Sequence, residues 1–110
     1  MITCTVHYEI DPAKLAEFET YAKFWLWKIP QMGGTHHGYF LPHEGANDRA
    51  SCHFSFGSLA EYEEYRRRMD ADPDCQRAYA FARQTACIRR YDRTFERPLQ
   101  TGASPQELGL

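Results

Sequence analysis

The chain has 110 residues, enough for one hydrophobic core and one domain. Its 13 Lys and Arg against 15 Asp and Glu leave a formal charge of −2, which excludes the net basic face that a dedicated nucleic-acid binder requires. Hydrophobic residues at 43% and charged residues at 25% fall in the ordinary globular range, and 15% aromatics supply large apolar area for a core or an interface.

Residues 2–10 alternate, with Ile2, Cys4, Val6, Tyr8 and Ile10 on one side and Thr3, Thr5, His7 and Glu9 on the other. Period 2 with β-branched content predicts a half-buried strand. Asp11 then offers an N-cap and Pro12 a first helical position. Leu15, Phe18, Ala22, Trp25 and Ile29 follow at spacings of three and four, one apolar stripe of a helix, with Trp27 off it. Pro30 and Gly33-Gly34 end that helix.

A second strand is predicted over 35–42 and a third over about 49–56, joined by a loop at 43–48 that contains Gly45, Asn47 and Asp48. In the third strand Ala50, Cys52, Phe54 and Phe56 share one face, and Ser51, His53 and Ser55 the other. Ser58 with Glu61 forms a capping box that opens a helix carrying Leu59, Tyr62, Tyr65 and Met69. Asp72-Pro73 supplies a second cap, so the helical region is expected in two pieces bent at 70–73, the second burying Cys75, Ala78, Tyr79, Ala82 and Ala86. The last strand is expected over 87–96, with a bulge near Arg89-Arg90 because Ile88 and Tyr91 differ in parity. Arg66, Arg67 and Arg68 follow Glu63 and Glu64 at i,i+4 spacing and read as a solvated helix face.

The expected architecture is therefore α+β, a ferredoxin-like β-α-β-β-α-β unit over residues 1–97 whose four-stranded antiparallel sheet has helices on one face. Residues 98–110, with two Pro and two Gly and no periodicity, are expected as an arm or a disordered tail. No stretch has the makeup of a signal peptide or the length of a membrane span, and none of the four cysteines forms a C-x-x-C pair. A cytoplasmic protein with reduced, buried thiols is expected.

The segment Gly33-Gly34-Thr35-His36-His37-Gly38-Tyr39-Phe40-Leu41-Pro42-His43-Glu44-Gly45 resembles the signature stretch of the NIPSNAP family. So do Phe54-Ser55-Phe56-Gly57-Ser58-Leu59-Ala60-Glu61-Tyr62 and Arg97-Pro98-Leu99. The resemblance spans roughly residues 1–99 and implies a dimeric α+β barrel, in which two ferredoxin-like protomers close their sheets around a shared interior. Gly57 stands where relatives often carry Pro, and Thr5 and His7 stand where an Arg-containing motif is frequent. The family name supplies no chemistry, and the enzymes of the wider barrel superfamily are only a fold-level analogy.

The residues themselves offer three groups. Phe18, Trp25 and Tyr39 could line an apolar pocket between helix and sheet, or fill the core. His7 and His53 fall on the polar face of neighbouring strands, as a proton-sharing pair or as histidines bonded to nearby hydroxyls. His36 and His37 must point to opposite faces of their strand and cannot chelate one ion undistorted, so neither a metal site nor a cofactor is expected. The expected function is small-molecule binding or cofactor-independent catalysis by a homodimer, in a sizeable enclosed cavity near Phe18, Trp25, His37 and Tyr39. The alternative is a non-catalytic interaction module with an apolar patch on Trp27 and the C-terminal arm.

Overall fold

The computed structural model describes residues 1–110. Its elements are β1 (Ile2–Ile10), α1 (Leu15–Gln31), β2 (Thr35–Phe40), β3 (Arg49–Phe56), α2 (Leu59–Ala71), α3 (Pro73–Thr85), β4 (Ile88–Glu96) and a single turn, α4 (Pro105–Leu108). The four strands form one antiparallel sheet in the order β2-β3-β1-β4, with the helices on one side of it. This is the ferredoxin-like arrangement that the sequence predicts.

Caps explain where the helices begin. Asp11 accepts a hydrogen bond from the Ala13 amide and Pro12 starts a 3-10 turn at Pro12–Lys14, which runs into α1. Ser58 Oγ accepts from the Glu61 amide, and Glu61 Oε2 accepts from the Gly57 amide, a donor that a proline at 57 would lack. Asp72 Oδ1 accepts from the amides of Asp74 and Cys75 and caps α3, which confirms the two-piece helix. Its other oxygen lies 2.8 Å from Lys28 Nζ, an ion pair that ties α1 to the α2–α3 corner.

The core lies between helices and sheet. Phe18 is fully buried among Tyr8, Tyr21 and Tyr39, and Trp25 packs on Tyr21 and Tyr79. All four cysteines are free and buried. Burial pushes the thiols of Cys4 and Cys52 up to about 12 and about 11, which keeps them protonated and unreactive.

Several local expectations need correction. β2 ends at Phe40, so Leu41 and Pro42 belong to the loop. Leu59 is exposed, at the first position of α2, and the buried side of the helix begins at Tyr62. Ala86 is not buried in α3; it is the C-cap, in the left-handed region at φ 55°. Arg67 pairs with Glu64 at i,i+3 rather than with Glu63, and Arg66 turns inward toward Tyr62. The expected bulge in β4 is present: Glu9 pairs with Arg90 and Ile10 with Ile88, leaving Arg89 unpaired.

A second bulge, in β2, decides the site. His36 pairs with Phe54 and Gly38 with His53, so His37 is the extra residue, and Gly38 adopts φ 112° to make the bend. The bend ends strict alternation: His36 and Tyr39 both face the helices, and their rings stack at 5.2 Å. His37 faces the other way and bonds Ser55 Oγ at 2.7 Å.

Beyond β4 the chain runs out as an arm, closed by α4 with Ser104 as its cap. Leu99 is 83% exposed, and Leu108 and Leu110 are exposed as well. The radius of gyration is 16.2 Å, against about 13 Å for a compact chain of this length.

Candidate functional site

The sheet has two faces of opposite character. On the face without helices, Thr3 Oγ1 bonds Ser55 Oγ at 2.7 Å and Thr5 Oγ1 bonds His53 Nδ1 at 3.0 Å. With His37 on Ser55, these side chains form a polar ladder across β1, β3 and β2. His7 lies opposite Ser51, one pair further along, and His53 makes its hydrogen bond to Thr5 rather than to His7. Phe40, 59% exposed, stands on this face beside the His53 ring.

On the helix face a narrow cleft runs between α1, α2, α3 and β4. Val6, Tyr8 and Phe54 form its floor, Tyr21, Trp25, Tyr62, Tyr65 and Tyr79 line its walls, and Arg66 and Arg93 reach into it. The cavity itself measures about 30 Å³, room for one or two waters. Burial raises the pKa of Tyr8, Tyr21 and Tyr65 above the usual phenol value, so at neutral pH these phenols are hydrogen-bond donors and not bases.

The arginines give the cleft its character. Arg66 donates to Tyr62 Oη at 3.2 Å. Arg93 stands opposite Val6 on β4, its guanidinium 5.5 Å from the Tyr91 ring centre, and its buried Nε has no hydrogen-bond partner in the protein. No Asp or Glu lines the cleft.

The six residues singled out from the sequence occupy three places. Trp25 is in the cleft wall. Phe18 and Tyr39 pack with Tyr8 beside it, inside the core. His7, His37 and His53 lie on the opposite face. The cleft thus lies in the expected layer between helices and sheet, but it is far smaller than the cavity expected there and only Trp25 of the four expected residues lines it; the β2 bulge parts His37 from Tyr39 and puts it on the opposite face. From the sequence, Tyr62, Tyr65 and Tyr79 read as core-facing helix residues and Arg66 as a solvated one, and Arg93 is not singled out; yet Tyr62, Tyr65, Arg66 and Met69 fall at i, i+3, i+4 and i+7 on one helix face. A cation alternating with Tyr91 and Phe95 on the inward side of a strand was the other available signal.

A second depression of about 400 Å³ lies on the outer surface between α1 and α3, lined by Phe24, Trp27, Phe81 and Arg77 among others. Trp27 is 54% exposed there. No helix is long and apolar enough to cross a membrane.

A four-stranded antiparallel sheet covered on one side, with a tyrosine-walled cleft beneath the helices, defines a two-layered α+β protein of the ferredoxin-like type. The NIPSNAP family profile matches residues 5–103, and the chain belongs to that family. Its fold is similar to that of a NIPSNAP family protein with unknown function from Agrobacterium tumefaciens, at TM-score 0.77 and 19% identity over 93% of this chain and 91% of that one. An uncharacterized NIPSNAP domain protein from Burkholderia xenovorans matches at TM-score 0.72 and 18% identity, over 94% and 100% of the two chains. A putative antibiotic biosynthesis monooxygenase from Nitrosomonas europaea matches at TM-score 0.67 and 8% identity, over 91% and 100%. At these identities the likeness shows the fold alone. No curated protein matches the chain.

Proposed function

We propose that the protein works as a homodimer in which each protomer binds a small molecule in the Tyr/Arg cleft. Arg93 carries this reading: its buried Nε has no partner in the protein, and a buried donor left unmade costs about 1–3 kcal/mol. Such a cost is tolerated where a ligand supplies the partner. Of the residues named from the sequence, Trp25 belongs to this site as a wall, with Phe18 and Tyr39 backing it. Because the lining phenols hold their protons, the reading is binding, with catalysis requiring a base from the ligand or from elsewhere.

The second copy belongs on the bare sheet face. Thr5 and Ser55 are already buried there and bonded to neighbours, and Phe40 offers an apolar contact beside His53. His7, His37 and His53 then line the space between the sheets. A second reading, a non-catalytic interaction module, draws on the exposed Trp27 and the depression beside it.

Nuclear magnetic resonance with a set of small aromatic fragments tests the binding reading. Shifts confined to Tyr62, Tyr79 and Arg93 are expected; shifts confined to Phe24, Trp27 and Phe81 would instead support the interaction module. Light scattering should give twice the chain mass, and a monomer at micromolar concentration overturns the dimer.

A further inference from the structure

We infer that the ligand of the cleft is a small monoanion, a planar carboxylate attached to a flat apolar body. This rests on the cleft being the binding site, and it follows from how the arginines are paired. Of the ten arginines, Arg49, Arg67, Arg77, Arg89 and Arg90 have an Asp or Glu within ion-pair distance, and Arg68, Arg83 and Arg97 lack one but do not line the cleft. Arg66 and Arg93, which face the cleft, have none, and no carboxylate lines it.

Two guanidiniums converging in a half-buried, tyrosine-walled space repel each other, and both are permanently charged. An anion placed between them removes that repulsion and fills the hydrogen-bonding capacity left over on Arg93 Nε. The planar fork of a guanidinium matches a carboxylate through two parallel hydrogen bonds. The wall phenols can donate further bonds to the same group.

The surroundings select the rest of the molecule. Tyr91 and Phe95 flank Arg93 on the inward side of β4, and both are exposed. Tyr91 lies against Tyr8, and Phe95 packs on Tyr62 with ring centres 4.9 Å apart, so both rings stand next to residues of the cleft. A carboxylate held between the arginines leaves its substituent over these rings, which suits a flat apolar body. Inorganic phosphate, tetrahedral with four oxygens, has no substituent to lie over these rings.

Calorimetric titration with benzoate, benzamide and inorganic phosphate tests the inference, with cleft resonances followed in parallel. Benzoate should bind saturably, and benzamide and phosphate about 10–100-fold more weakly, the effect of losing a charged hydrogen bond or its fit. Arg93→Gln and Arg66→Gln should each weaken benzoate by a similar factor, while Arg68→Gln, outside the cleft on the same helix, should not. Melting curves identify any variant that fails to fold, and Arg93→Lys, which keeps the charge without the fork, should fall between wild type and Arg93→Gln. Equal binding of benzoate and benzamide, preferred binding of phosphate, or benzoate binding unchanged in folded Arg93→Gln overturns the carboxylate. If benzamide moves the cleft resonances as strongly as benzoate, the cleft remains a binding site for neutral ligands. If no compound moves them, both the carboxylate and the cleft reading fall.

Discussion

Two surfaces built from the same strands behave as different materials. On the helix side, Cys4, Val6, Tyr8, Cys52 and Phe54 meet Phe18, Trp25 and Tyr65 in a dense aromatic layer. On the other side, one residue along each strand, hydroxyls and imidazoles hold one another across β1, β3 and β2. The first face gains its free energy by removing apolar area from water; the second remains compatible with water and with a second sheet. The cleft lies on the apolar side at the β4 edge, where helix cover ends and Arg93 replaces a hydrocarbon in the inward row. Polar groups on the open face find partners among themselves, whereas those on the packed face do so only in part. His36 Nε2 and Arg93 Nε are both buried there without one.

The largest expected effect breaks the packed face. Phe18→Ala removes a fully buried ring among three tyrosines and should cost about 3–5 kcal/mol, read by denaturant titration. A loss below about 1 kcal/mol would mean that the layer is far looser than its burial implies.

Acid should act on the same face through His36. Burial, and then the nearby His37 and His53, lower its pKa to about 4. In the unfolded chain the imidazole protonates near 6.5, before the folded one does. At neutral pH both forms are neutral and the shift contributes nothing. As pH falls from about 6.5 to about 4 the unfolded state gains the proton first, and stability should drop by about 1–2 kcal/mol after allowance for partial solvent screening. His36→Gln should flatten the stability profile between those values; an unchanged slope would place its origin elsewhere.

Ser55→Ala probes the open face. It deletes the bonds to Thr3 and His37 from a side chain that is 2% exposed, and should cost about 1 kcal/mol, since water can replace the lost partner of the exposed His37. A cost as large as that of Phe18→Ala would mean that the freed Thr3 and His37 find neither water nor another partner. The smallest effect should come from Ala86→Gly, which lies outside both faces. Glycine at the left-handed cap should raise stability by up to about 1 kcal/mol, with no change in pH profile or oligomeric state.

Much of this was legible in the chain. Element order, the Asp11, Ser58 and Asp72 caps, the break at Asp72-Pro73, the bulge at Arg89 and the inward direction of Cys4 and Cys52 all follow from local spacing. Local spacing suffices because caps and alternation depend on residues within one turn or one pleat. The site was less legible. The bulge at His37 undid the alternation that had grouped His37 with Tyr39, and nothing short of the pairing of β2 with β3 fixes where the extra residue falls. Arg66 sits in a run of three arginines whose charge reads as a solvated face, although its spacing from Tyr62 and Met69 puts it on their side of the helix.

By itself, then, the sequence determined a β-α-β-β-α-β unit with one apolar and one polar sheet face, because periodicity is a local property of the backbone. The tertiary structure decided that Arg66 of α2 and Arg93 of β4 meet in one tyrosine-walled cleft without a carboxylate. Residues 27 positions apart become neighbours only when helices and sheet close on one another, and what then lies opposite a charge is set by the packing.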